Sequence, residues 1–398
     1  MKVGYKIIFL FGFLIFLLIS CNPDKAEKTN ESKEQVEPEI DTIDHELLNF
    51  NTALDSSSLY VRHFLEFKIP EERYQIEENE LYSSVLLPKV YTTNNFNLIW
   101  LNEFQNTKKA FDFMDELSQG LFHGLDPYAY HYRLLLKHKE ALSTDPNNWF
   151  DPIFLTHFDL LLSDAFFMYG SHLYHGKVNP EDLSVEWGIQ RNKPELSLDE
   201  KLLKISKGIA VIDILKQFYP KTHGYELLVE KAKTLFPKIN DDIQLKFHKD
   251  SLPLDLTTIS TEDLKHIQNR LSFLGFTDSI VDLDTLKIIN AVKTFQKSQG
   301  LNQDGKIGEY TLTALNVPIQ ERLSQIFVNL ERLRWLPEKH EDQQIHVNIA
   351  NFNLLYLVKG DTLANLRTVV GRDFRQTPVF STKMTYLVFS PTWTIPPG

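Results

Sequence analysis

Near residue 340 the spacing of apolar residues changes, and this change constrains the fold more than any single motif. Upstream of Pro337 apolar residues recur every three or four positions, the period of a helix lying on a core; from Gln344 they alternate, the period of a half-buried strand. A chain that keeps the two periods in separate blocks is expected to fold as an α+β multidomain protein, mainly helical first and β-rich last. Its 398 residues suffice for two or three domains, and 42% hydrophobic content lets each bury a core.

In the helical block Ala110, Met114, Leu117 and Leu121 share one face, after which "HGLDPYAYH" breaks the helix with Gly124 and Pro127. "HFDLLLSDAFFMYGSHLYHGKVNP" carries two stripes, Leu161/Ala165/Met168/His172 and Leu162/Phe166/Tyr169/Leu173. A helix apolar on most sides belongs at the centre of its domain, here taken as 46–255. Residues 258–317 form a smaller unit. "STEDLKHIQNRLSFLGF" starts with a near capping box from Ser260 to Asp263, faces Leu264, Ile267, Leu271 and Leu274 inward, and stops at Gly275. Ile288, Val292 and Phe295 repeat the design, and the turn "NQDGKIG" leads to a third helix, "EYTLTALN". Residues 318–337 then read as a docking helix between domains, with Ile319, Leu323, Ile326, Leu330 and Leu333 on one stripe.

The N-terminus has Lys2 and Lys6 before an apolar run at 7–19, too short for an ordinary membrane-spanning helix, and then "LISC". This reads as a lipoprotein signal peptide over 1–20, with Cys21 the lipidation site and several acyl chains holding the protein on a membrane. Cys21 is the single cysteine, so no disulfide or thiolate metal site competes for it. Residues 21–45, rich in Asp, Glu and Lys, are expected to be a disordered tether. A formal charge of −11 with no basic stripe argues against nucleic acid as a partner.

From Gln344 on, "QIHVNI", "FNLLYLV", "LRTVV" and "MTYLVFS" read as strands, with "KGD" the hairpin turn between the second and third. Leu355, Leu357, Val388 and Phe389 are expected to be half covered beside an open sheet edge.

Four blocks carry a family resemblance. "AVKTFQKSQGLNQDGKIGEYTLTALNV" resembles the peptidoglycan-binding module of the first type; Asp304, Gly305 and Gly308 serve its turn rather than a ligand. "NLERLRWLP" resembles the connector of large L,D-transpeptidases, and "GLDPYAY" and "YHGKVNP" resemble their scaffold domain. "VVGRDFRQTPVF" and "FSPTWTIPPG" resemble the YkuD-type catalytic domain, so 343–398 is read as its N-terminal, incomplete part. The resemblance implies an enzyme of the cell envelope, lipid-anchored and facing the periplasm, whose partners are peptidoglycan stem peptides and glycan. It also implies a catalytic cysteine and histidine in an SHGC-like stretch, which does not occur here. The 398 residues are therefore expected to be the front part of a longer enzyme, with no catalytic residue of their own. The alternative is a non-catalytic peptidoglycan-binding lipoprotein.

Other chemistry is sparse. Arg372 and Arg375 either pair bidentately with stem-peptide carboxylates or sit in a solvated turn. Tyr386 and Trp393 either line the substrate groove or belong to a core. His172 and His175 stand one helical turn apart, but no further ligand at zinc spacing accompanies them, so neither a metal nor a cofactor is expected.

Overall fold

The helix at Pro152–His175 organises the first half of the protein, as its two apolar stripes require. Asp151 caps it, accepting the backbone N–H groups of Ile153 and Phe154 at 2.9 and 3.1 Å, and Pro152 occupies the first turn, where no N–H is needed. Phe158, Leu161, Leu162, Ala165, Phe166 and Tyr169 along it are all buried. The computed structural model describes residues 40–67, 73–183, 187–189, 196–277, 283–337, 342–372 and 374–390. Residues 46–398 form one compact unit. The signal at 1–20, Cys21 and most of the tether lie outside the described residues; helix α1 (Ile40–Glu66) begins inside the stretch read as tether. Among the described residues no helix is long and apolar enough to cross a membrane.

Around the central helix, α5, lie α1, the hairpin β1 (Gln75–Ile76) and β2 (Asn79–Glu80), α2 (Leu86–Thr93), α3 (Lys108–Gln119), α4 (Tyr132–Thr144), α6 (Leu198–Ser206) and α7 (Val211–Leu215). Two buried carboxylates on α5 hold the loops between them. Asp159 accepts the backbone N–H groups of Ile99, Trp100 and Leu101 at 3.0, 2.7 and 3.2 Å and the Tyr91 hydroxyl at 2.5 Å. Burial pushes its carboxyl above the ordinary range, against the pull of these donors. One helical turn on, Asp164 accepts the Tyr82 and Ser83 N–H groups at 3.0 and 2.6 Å and meets His131 Nε2 at 2.7 Å.

The second core begins earlier than the sequence pattern places it. Tyr225, Val229, Ala232 and Leu235 of α8 (His223–Leu235) pack with α9 (Thr261–Leu274), α10 (Thr285–Ser298), α11 (Glu309–Leu315) and α12 (Ile319–Arg334). The cores therefore divide between Phe218 and Tyr225 rather than near 255. Periodicity identifies a helix's apolar face but not which core receives it. Within this unit the recurring motif residues bind one another. The buried amide of Gln296 donates to Asp304 Oδ1 at 2.8 Å and to the Lys306 carbonyl at 2.9 Å, and accepts the Gly305 N–H at 2.9 Å. Asn316 clamps the backbone of Leu245 through both its donor and its acceptor, at 2.7 and 2.8 Å.

The last region is a three-stranded antiparallel meander, following a short strand β3 (Trp187–Gly188): β4 (Gln343–Asn348), β5 (Asn353–Val358) and β6 (Asp361–Arg367). Val358 pairs with Asp361 across a two-residue turn in which Lys359 and Gly360 both have positive φ, the geometry that matches strand twist. Strand β7 (Val379–Phe380) pairs in parallel with β3, Trp187 opposite Val379. Residues 384–390, expected as a strand, instead carry no ladder among the described residues. An alternating pattern defines two faces, whereas a strand also needs a hydrogen-bonding neighbour. Tyr386 and Phe389 in this stretch stand at 78% and 86% exposure, and Val369 and Phe374 ahead of it at 96% and 77%. Large apolar side chains left exposed in this way promote self-association. A protein shortened to end at Pro337 is expected to stay soluble at higher concentration than the whole chain; equal solubility in a concentration series would refute the assignment of these side chains as the cause.

Candidate functional site

Helix α12 is amphipathic over most of its length, yet its last turn buries charge. Arg334 is fully buried. Its Nη1 meets Glu331 Oε2 at 2.9 Å; its Nη2 donates to the Tyr225 hydroxyl at 3.0 Å and to the His123 carbonyl; and its guanidinium lies over the Tyr225 ring, 5.5 Å from the centroid. Glu331 Oε1 accepts the Val178 N–H at 2.8 Å and Trp335 Nε1–H at 3.1 Å. The two loops that reach this turn do so through glycines. Gly176 has φ +85°, and a Cβ there would stand 2.6 Å from Glu331 Oε1; Gly124 has φ +72°, and a Cβ there would stand 3.0 Å from Cβ of Phe327. "HGLDPYAY", "YHGKVNP" and "NLERLRWLP", far apart in sequence, thus converge on one junction.

The junction sets the protonation of its imidazoles. His123 Nδ1 lies 2.9 Å from the Tyr225 hydroxyl. Burial, with the Arg334 and Lys233 charges, brings its pKa down to about 3. His172 lies 3.0 Å from the Tyr130 hydroxyl and, chiefly through burial, falls to about 4. His172 and His175 do not gather a third ligand: among the described residues no group of three or more His, Cys, Asp or Glu is placed to hold a metal ion.

From Trp335 the junction reaches the β region. The Trp335 ring meets that of Trp187 edge-on at 5.4 Å, and Trp187 begins β3, the partner of β7. Just before β7, Arg375 N–H donates to the Arg372 carbonyl at 2.8 Å and Gly371 N–H to Thr377 Oγ1 at 2.7 Å. This tight turn brings Arg372 and Arg375 together with both side chains exposed, and neither forms an ion pair among the described residues. Tyr386 is exposed farther along and is not drawn into the turn, and Trp393 lies outside the described residues. The junction residues Glu331, Arg334, His123 and Tyr225 were not singled out by sequence. The available signal was Glu and Arg three positions apart where the apolar stripe of α12 should continue.

This arrangement defines a modular protein in which a helical domain and a small helical module are joined to a β region through one connector helix. Residues 85–231 match the family model described as "Scaffold domain", 260–315 that described as "Putative peptidoglycan binding domain", and 342–398 that described as "L,D-transpeptidase catalytic domain", of the YkuD family. A stretch of 72 residues is 36% identical to a protein of Haemophilus influenzae named "Putative L,D-transpeptidase"; it covers 18% of this chain and 14% of that relative's length. The match at 342–398 and this relative show the likeness to the L,D-transpeptidase family, and the two upstream matches add a scaffold and a peptidoglycan-binding module in order before it.

Removing one partner of a buried ion pair strands the other, at a cost of about 3–5 kcal/mol. Arg334→Ala should lower stability by that order in urea titrations, and a loss below about 1 kcal/mol would place the junction among weak surface pairs. The imidazoles give a second test. His123 and His172 have folded values of about 3 and about 4, below their ordinary 6.5, so the unfolded chain binds more protons between those limits. Their stabilising contribution is complete above pH 6.5 and is lost as pH falls toward 4. The urea midpoint should therefore be flat above neutral pH and decline from about 6.5 to 5, less steeply in His172→Gln; an identical slope in the variant would contradict a neutral buried His172.

Proposed function

We propose that this chain serves as the anchoring, wall-holding and substrate-side portion of an L,D-transpeptidase that cross-links peptidoglycan stem peptides. The observation that carries this reading is the catalytic-domain match at 342–398, which contains the turn presenting Arg372 and Arg375. Two guanidinia in one tight turn, neither in an ion pair among the described residues, suit bidentate pairing with the carboxylates of a stem peptide. In the reaction a cysteine thiolate attacks a stem-peptide carbonyl, terminal D-alanine leaves with a proton, and a thioester remains. An amine of a second stem displaces the thiolate, forming the new amide. A histidine takes and returns the proton, and backbone N–H groups steady the oxyanion.

The single cysteine is Cys21, in the stretch read as a lipobox, and in this proposal it serves as the point of attachment to a membrane at the periplasmic side of the cell envelope rather than as the attacking thiol. The placement of that one thiol favours a second reading, a lipoprotein that binds peptidoglycan without catalysis. Two measurements test the proposal. The purified 398-residue chain should co-sediment with insoluble peptidoglycan, and failure to do so would remove peptidoglycan as its partner. A labelled carbapenem, which acylates the family's cysteine, should leave it unmodified; covalent labelling would mean that a nucleophile resides within these residues.

A further inference from the structure

Far along the sequence from the Arg372 turn, the first helical core carries a cleft of about 360 Å³ between the β1–β2 hairpin and the "GLDPYAY" turn. Its walls are Asn79, Glu80, Tyr82, Tyr128, His131 and Arg133. The volume lies within the range of small-ligand sites. Hydrogen bonds from behind position Tyr82, His131 and Tyr128. Asp164, fully buried, holds the backbone of Tyr82 and Ser83 and the imidazole of His131. Asp126 accepts the Tyr128 N–H at 3.0 Å and so sets the turn that presents the Tyr128 ring. The aromatic rings nevertheless face solvent, Tyr82 at 54% and Tyr128 at 61% exposure.

The polar groups that remain define a ligand chemistry. Asp164 accepts two backbone N–H groups and lies 2.7 Å from His131 Nε2, which leaves Nδ1 as the second polar atom of that ring. The His131 side chain is only 6% exposed, and its Nδ1 has no hydrogen-bond partner among the described residues. Glu80 is neutralised by Arg73 at 2.8 Å, whereas Arg133, over the Tyr128 ring at 5.8 Å, has no carboxylate partner among the described residues. Flat aromatic faces suit the apolar faces of sugar rings, a lone ring nitrogen suits a sugar hydroxyl, and an unpaired guanidinium suits a carboxylate.

We infer that this cleft is a second binding site for peptidoglycan, seating a sugar of the glycan strand against Tyr128 with a stem-peptide carboxylate on Arg133, while the Tyr82 ring, with Arg73 over it at 5.3 Å and His131 stacked at 6.3 Å, forms the adjoining wall; the choice of ligand rests on the function proposed above. With the small helical module as the other contact, the chain would grip one glycan strand at two separated points and hold its stem at a defined distance from the β region.

A photoreactive disaccharide–tetrapeptide fragment of peptidoglycan, applied to the whole chain and mapped by mass spectrometry, tests the site. Label is expected within 79–82 or 128–133. It should fall about tenfold in Tyr128→Ala combined with Arg133→Gln, two largely surface-facing changes whose folding is checked by circular dichroism. Label confined to 260–315, or label at the cleft that the double variant leaves unchanged, overturns the cleft while co-sedimentation with peptidoglycan keeps the functional reading. Absence of both label and co-sedimentation overturns the two together.

Discussion

A guanidinium removed from water must be surrounded by acceptors, and the placement of Arg334 follows from that demand. One acceptor lies on its own helix, at Glu331; the others come from the Tyr225 hydroxyl and the His123 carbonyl, on two distant segments. A buried ion pair adds little stability over a well-packed apolar contact, but leaving one of its members alone is costly. Its effect is to exclude alternatives: α12 can dock at few angles that satisfy all three acceptors. Glu331 extends the constraint to the exit of α5 through the Val178 N–H, and Trp335 passes it to Trp187. The relation between both helical cores and the start of the β region therefore runs through the last turn of one helix.

Much of this was legible in the sequence, for identifiable reasons. The central place of α5 follows from its two stripes, and the hairpin at Lys359–Gly360 from a turn requiring positive φ at both positions. The resemblance identified the domains in their order. The pairing that gathers the motifs was not visible, because a buried Arg and an exposed Arg are the same letter and only tertiary contact separates them. The strand expected at 384–390 failed for a related reason, since a ladder depends on a neighbour that the alternating pattern does not name. The assignment of α8 to the second core likewise depends on contacts beyond its own apolar face.

The small helical module gives a physical meaning to its recurring residues. Gln296, Asp304 and Gly305 spend their polar groups on one another, and Asn316 spends its amide on Leu245. Residues committed in this way preserve a backbone path rather than contact a ligand. If this unit binds peptidoglycan as proposed, the contacts lie with side chains outside the recurring set.

The pairing of β3 with β7 bears on how such chains exchange parts. Val379 and Phe380 find their ladder neighbours at Trp187 and Gly188, nearly two hundred positions upstream and on the other side of the small module. A cut at the border suggested by linear order, just after Pro337, would carry β7 away from its neighbour. The heritable block is thus discontinuous: recombination that transplants the β region into another scaffold must bring a compatible segment around Trp187, or the transplanted strand arrives with one edge unmatched.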